Sequence, residues 1–135
     1  MIIRYEGGNH GVISYLEKGR KLGQDLHRDQ VDSRVILSGD PDLTDSVINS
    51  ISNKGQARYE RIVLSFYENH VSTELLEDIV HDYKNILMSA YDDDEYIFYA
   101  EAHLPKLKYN VDRETGELIE RKPHIHIVIP NKNLL

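Results

Sequence analysis

The chain contains no cysteine. That single absence removes disulfides, thiolate zinc sites and cysteine nucleophiles, so any metal must be held by His, Asp or Glu. No apolar run approaches the roughly 20 residues of a membrane span, and Met1-Ile2-Ile3-Arg4 lacks the cationic-then-apolar layout of a signal peptide. There is no repeat, low-complexity tract or linker. At 135 residues and 15.7 kDa, 40% hydrophobic and 29% charged, the composition is that of a globular domain. These features together predict a cytoplasmic protein with no membrane partner.

An overall basic charge is also lacking. The formal net charge is −7, but residues 1–37 carry +1, residues 38–101 carry −10 and residues 102–135 carry +2. The acidity is confined to the middle, including Asp92-Asp93-Asp94-Glu95. Broad nonspecific DNA binding is thereby disfavoured, while a local polyanion site near either end is allowed.

The hydrophobic pattern predicts alternating strands and helices. Ile2 to Tyr5 reads as a strand ending in a turn at Gly7-Gly8, and Val12 to Lys21 as a helix. Arg34 to Leu37 is a short strand, and Leu43 to Asn53 a helix capped by Thr44 or Asp42. Tyr59 to Phe66 reads as a buried strand. Ser72 then caps a helix whose Leu75, Leu76, Ile79, Val80, Tyr83, Ile86 and Leu87 form one apolar stripe, expected to be core. Glu95 to Leu104 and Lys122 to Ile129 are strands, joined by a long hairpin in which Gly116 is free to take positive φ. The order predicts an α+β sandwich with one antiparallel sheet.

Strand alternation places chemistry on the last two strands. In Pro123-His124-Ile125-His126-Ile127-Val128-Ile129, the isoleucines share one face and His124 and His126 the other, about 7 Å apart. In the partner strand Ile97, Tyr99, Glu101 and His103 share a face. The 20 residues between His103 and His124 fit a hairpin, so three imidazoles can converge with Glu101 close behind. Three histidines hold a divalent ion and leave positions open for water or substrate, and Glu101 is placed to orient one of them. His10, His27, His70 and His81 form no such pattern and read as surface.

Two weaker signals carry nothing. Gly7-Gly8-Asn9-His10-Gly11 lacks the spacing of a nucleotide-binding loop, and Asp92-Asp93-Asp94 lacks the spaced ligands of a calcium loop. A two-histidine phosphoesterase needs a second His-x-Ser/Thr motif, which is missing.

His124-Ile125-His126 followed by Ile-Val-Ile-Pro-Asn is similar to the histidine–hydrophobe–histidine signature of HUH endonucleases. His103 matches the third ligand position of the conjugative relaxases in that superfamily. The strand Ile62-Val63-Leu64-Ser65-Phe66, the acidic helix after it and Asp94-Glu95-Tyr96 also resemble the mobilisation-protein layout, over most of residues 59–131.

The resemblance implies a single α+β domain over 1–135: a central antiparallel sheet with helices packed on it, in a ferredoxin/RRM-related two-layer sandwich. It implies a metal-dependent nick in single-stranded DNA at a transfer origin through a 5′-phosphotyrosine. Mg²⁺ or Mn²⁺ would sit on His103, His124 and His126, with Glu101 in support. Accessory relaxosome proteins would be further partners. The nucleophile in relaxases usually lies on or beside an early helix, which indicates Tyr15, with Tyr5 and Tyr59 as lesser candidates. Lys18 shares a helical face with Tyr15, and with Arg4, Arg20, Lys21 and Arg28 it would follow the DNA backbone. Related replication proteins carry the tyrosine on a helix after the histidine pair, and the chain stops nine residues past His126. It is therefore expected to be a fragment of a longer protein. The alternative function is a non-catalytic nucleic-acid-binding or interaction domain that retains the fold.

Overall fold

The computed structural model describes residues 1–19, 28–112 and 114–135. Five strands form one fully antiparallel sheet: β1 (Ile2–Gly8), β2 (Asp32–Ser38), β3 (Tyr59–Ser65), β4 (Tyr99–Pro105) and β7 (His124–Pro130), in the order β1-β3-β7-β4-β2. A separate two-stranded ribbon, β5 (Tyr109–Val111) and β6 (Leu118–Glu120), forms the hairpin between β4 and β7. Gly116 in its turn has a φ of 73°, as its freedom from a Cβ predicted. No helix among the described residues is long and apolar enough to cross a membrane.

Alternation along the strands divides the sheet into two faces. On one, Ile62, Leu64, Ala100, Ala102, Ile125 and Ile127 are fully buried beneath helix α4 (Thr73–Leu87), which contributes Leu76 and Val80. Burying an aliphatic side chain of this size contributes roughly 1.5–3 kcal/mol, so this layer dominates stability. Ser72 caps α4 as predicted, its side chain accepting from the Leu75 amide at 3.2 Å. The stripe expected as core is only partly so, because Leu75, Ile86 and Leu87 are exposed. Seven apolar positions span more of the helix circumference than one sheet can cover. Only the arc through Leu76 and Val80 is buried, with Ile79 and Tyr83 at its margin.

Among the described residues, apolar packing on the opposite face gathers at one end. There α1 (Val12–Lys18) and α3 (Pro41–Ser50) pack Val12, Ile13, Leu16 and Ile48 onto Tyr59, Tyr99 and Val128. The cap of α3 is Asp40, not Thr44 or Asp42. Its carboxylate accepts from the Leu43 amide at 2.8 Å with Pro41 in the first turn, so the helix starts two residues earlier than its apolar pattern suggested.

Gly7-Gly8 lies within β1, not in a turn. Gly8 pairs with Tyr59, whose ring lies where a Cβ would project, so the glycine serves close approach. Strand β4 starts at Tyr99, because its pairing with β7 begins at Tyr99↔Val128. A four-residue helix, α2 (Arg28–Val31), precedes β2 and was not anticipated.

Candidate metal centre

Three cross-sheet rows build the second face around the histidines. Strand pairing sets Glu6, Arg61, Val128 and Tyr99 abreast; next come Arg4, Val63, His126, Glu101 and Ile36; then Ile2, Ser65, His124, His103 and Arg34. β7 is the central strand of the five and is hydrogen-bonded on both edges, so its histidines stand on a constrained backbone. His103 and His124 are direct partners across β4 and β7.

The three rings form a near-equilateral group, with centroids 4.5, 4.9 and 5.1 Å apart. One ligand atom from each of His103, His124 and His126 lies within 4.8 Å of the others, close enough to hold one metal ion. Two tautomers are fixed by partners that can only accept. His103 Nε2 donates to Glu101 at 2.6 Å, leaving Nδ1 as a lone pair. His124 Nδ1 donates to the Lys122 carbonyl at 3.2 Å, leaving Nε2. Neither nitrogen of His126, nor Nδ1 of His103, has a hydrogen-bond partner, although all three atoms are buried. Leaving such atoms unpaired costs about 1–3 kcal/mol each, and the donor set fits a cation that would pair them.

Electrostatics keep His103 and His126 neutral and available. Burial, followed by the fields of His103, His124, Arg61 and Arg28, pushes the His126 pKa far below its ordinary value. His103 is also lowered, burial outweighing the attraction of Glu101. Glu101 behaves oppositely. Burial alone would raise it, but it accepts a bidentate fork from Arg34 (2.7 and 2.6 Å), the hydroxyl of Tyr99 (2.7 Å) and His103, and falls to about 2. It is an anion with 0% exposure, fully satisfied, orienting His103 from behind.

In front of the histidines is a cleft of about 480 Å³, with His124 and His126 in its lining, whereas His103 and Glu101 lie fully buried. Tyr15 of α1 lines the cleft half-buried, with the guanidinium carbons of Arg28 and Arg61 5.1 and 5.3 Å from its ring centre.

Most of the predicted site residues meet here: Glu101, His103, His124, His126, Tyr15, Arg4 and Arg28. Lys18 does not. It is exposed and outside the cleft lining, since Tyr15 and Lys18 three residues apart diverge enough for only one to face the sheet. Arg20, Lys21 and His27 lie outside the described residues. Of the lesser tyrosines, Tyr59 is buried in the α1–α3 core, and Tyr5 alternates onto the α4 face.

Arg61, Arg121 and Tyr67 also line the cleft and were missed. A charged residue alternating with Val63 beside Ile62-Val63-Leu64 was a usable signal for Arg61. Arg121 and Tyr67 stand in segments whose placement depends on tertiary packing. Nothing among protein-family models, curated proteins or solved structures matches the chain.

Proposed function

We propose that the chain is a relaxase-like nuclease domain that nicks and religates single-stranded DNA at the transfer origin of a plasmid or other mobile element. One observation carries this reading: three imidazoles with ligand atoms within 4.8 Å of one another meet beside a cleft that also bears a tyrosine between two guanidinium groups. In the reaction, the Tyr15 hydroxyl oxygen bonds to phosphorus as the bond from phosphorus to O3′ breaks. The phenolic proton passes to the departing 3′ oxygen. A 5′-phosphotyrosine and a free 3′ hydroxyl result, and attack by that hydroxyl reverses the step.

His103, His124 and His126 would hold a divalent ion, which would supply positive charge to offset the negative charge building on the scissile phosphate. Of Mg²⁺ and Mn²⁺, an imidazole donor set favours Mn²⁺, because Mg²⁺ prefers oxygen ligands. Glu101 orients His103. Arg28 and Arg61 balance phosphate charge and flank the nucleophile.

Two measurements test this. Calorimetric titration of Mn²⁺ should show one saturable site in the wild type and none in His126→Ala. With Mn²⁺ and a random-sequence single-stranded library, an SDS-resistant protein–DNA adduct should form and disappear in Tyr15→Phe. An adduct that survives Tyr15→Phe but is lost in Tyr67→Phe would move the nucleophile. Metal-independent DNA binding with no adduct would instead favour a non-catalytic nucleic-acid-binding domain.

A further inference from the structure

The cleft has a cationic character opposite to that of the chain as a whole. In a protein of net charge −7, its lining holds five basic residues (Arg4, Arg28, Arg61, Arg121 and Lys122) against two acidic ones, Glu6 and Glu120. Two of the arginines are buried to a degree that solvation cannot explain: Arg28 is 2% exposed and Arg121 8%.

Asp32 holds both arginines by one edge. Its Oδ2 lies 3.1 Å from Arg28 Nη1 and its Oδ1 2.9 Å from Arg121 Nη2, while Arg121 Nη1 donates to the Val31 carbonyl at 2.6 Å. The remaining edges are unmatched. Nε and Nη2 of Arg28, Nε of Arg121 and Nε of Arg61 are all buried without a hydrogen-bond partner. Buried guanidinium donors are normally paired, yet these three arginines line one cleft and each keeps at least one N–H without an acceptor. A phosphodiester presents two charge-sharing non-bridging oxygens, which the planar guanidinium fork can engage together.

We propose that Arg28, Arg61 and Arg121 form a phosphate seat separate from the histidine centre, which binds a backbone phosphate of single-stranded DNA without any metal. This rests on the nucleic-acid reading above and deepens it. Asp32 fixes the orientation of two of the forks and leaves the seat a net positive charge.

The test is binding of a short fluorescein-labelled oligothymidylate in EDTA, followed by anisotropy across a salt series. The wild type should bind, and Arg61→Gln and Arg28→Lys should each weaken binding about tenfold. Arg61→Gln removes one contact, so the slope of log affinity against log salt should become shallower by about 0.7. Lys54→Gln, an equal loss of charge on an exposed loop, should change neither quantity. Arg28 is part of a buried ion pair, so its variant is checked for folding by circular dichroism. Arg61 keeps the test decisive, because its ion pair is with the exposed Glu6.

Absence of wild-type binding in EDTA overturns the proposal. So do folded arginine variants with wild-type affinity and salt slope, which would mean that water fills these donors. If arginine-dependent binding holds but no covalent adduct ever forms, the seat stands and the relaxase reading falls.

Discussion

Replacing Glu101 by Gln tests the site and the fold at once. The carboxylate has 0% exposure and receives hydrogen bonds from Arg34, Tyr99 and His103. Its fall from an ordinary 4.5 to about 2 corresponds to at most about 3–4 kcal/mol favouring the folded, ionised state. Gln keeps the shape and one acceptor, so the expected loss is about 2–3 kcal/mol, below the roughly 3–5 kcal/mol of a buried ion pair broken outright.

The sign follows from linkage. A carboxylate with a depressed folded pKa contributes its full stability above pH 4.5 and loses it as pH falls through about 2. Urea unfolding should therefore show a constant gap between wild type and Glu101→Gln from pH 7 to about 5, roughly halved by about pH 3. The same variant should lower Mn²⁺ affinity about 10–100-fold, because His103 loses the partner that fixes its tautomer. An unchanged urea midpoint at pH 7, or a gap of constant size down to pH 3, would refute the reasoning.

Three further outcomes are expected. His126→Leu should make the metal-free chain more stable by about 1–2 kcal/mol in thermal or urea unfolding, because it removes buried unpaired nitrogens, and should abolish any stabilisation by Mn²⁺. Without metal, stability should fall with acidity below about pH 6.5, by up to about 1.4 kcal/mol per pH unit for each of His103 and His126. Both have lowered folded values, so the unfolded chain binds protons that the native chain refuses; a flat profile from pH 7 to 5 would contradict this. Gly39→Ala should destabilise by about 1–3 kcal/mol in urea titration, since Gly39 has a φ of 80° and a Cβ there would press on the Phe98 carbonyl.

Much of this site was legible because period-two alternation is a local property. It put His124 and His126 on one face and Glu101 and His103 on the matching one, and the hairpin length supplied the register that makes His103 and His124 partners. Pairing between distant segments was not legible. Nothing local indicates that β3 flanks β7 on its other edge, and so nothing local placed Arg61 near the histidines. Helix ends were misplaced where a polar residue outside the apolar pattern, Asp40, served as the cap. The missed α2 is too short for periodicity, although its Arg28 proves buried and lines the cleft.

The position of β7 has a consequence for assembly. Remove it, and the sheet separates into two unconnected ribbons, β1 with β3 and β4 with β2, each presenting a bare edge. During synthesis the strand that joins them emerges after both, so neither half can complete its hydrogen bonding until the histidine strand has threaded between them. The metal ligands lie on β4 and β7, across one of the two seams that this insertion closes. An ion bound there would act as a rivet on the last joint to form, and the three histidines could hold it only once the whole sheet had been assembled.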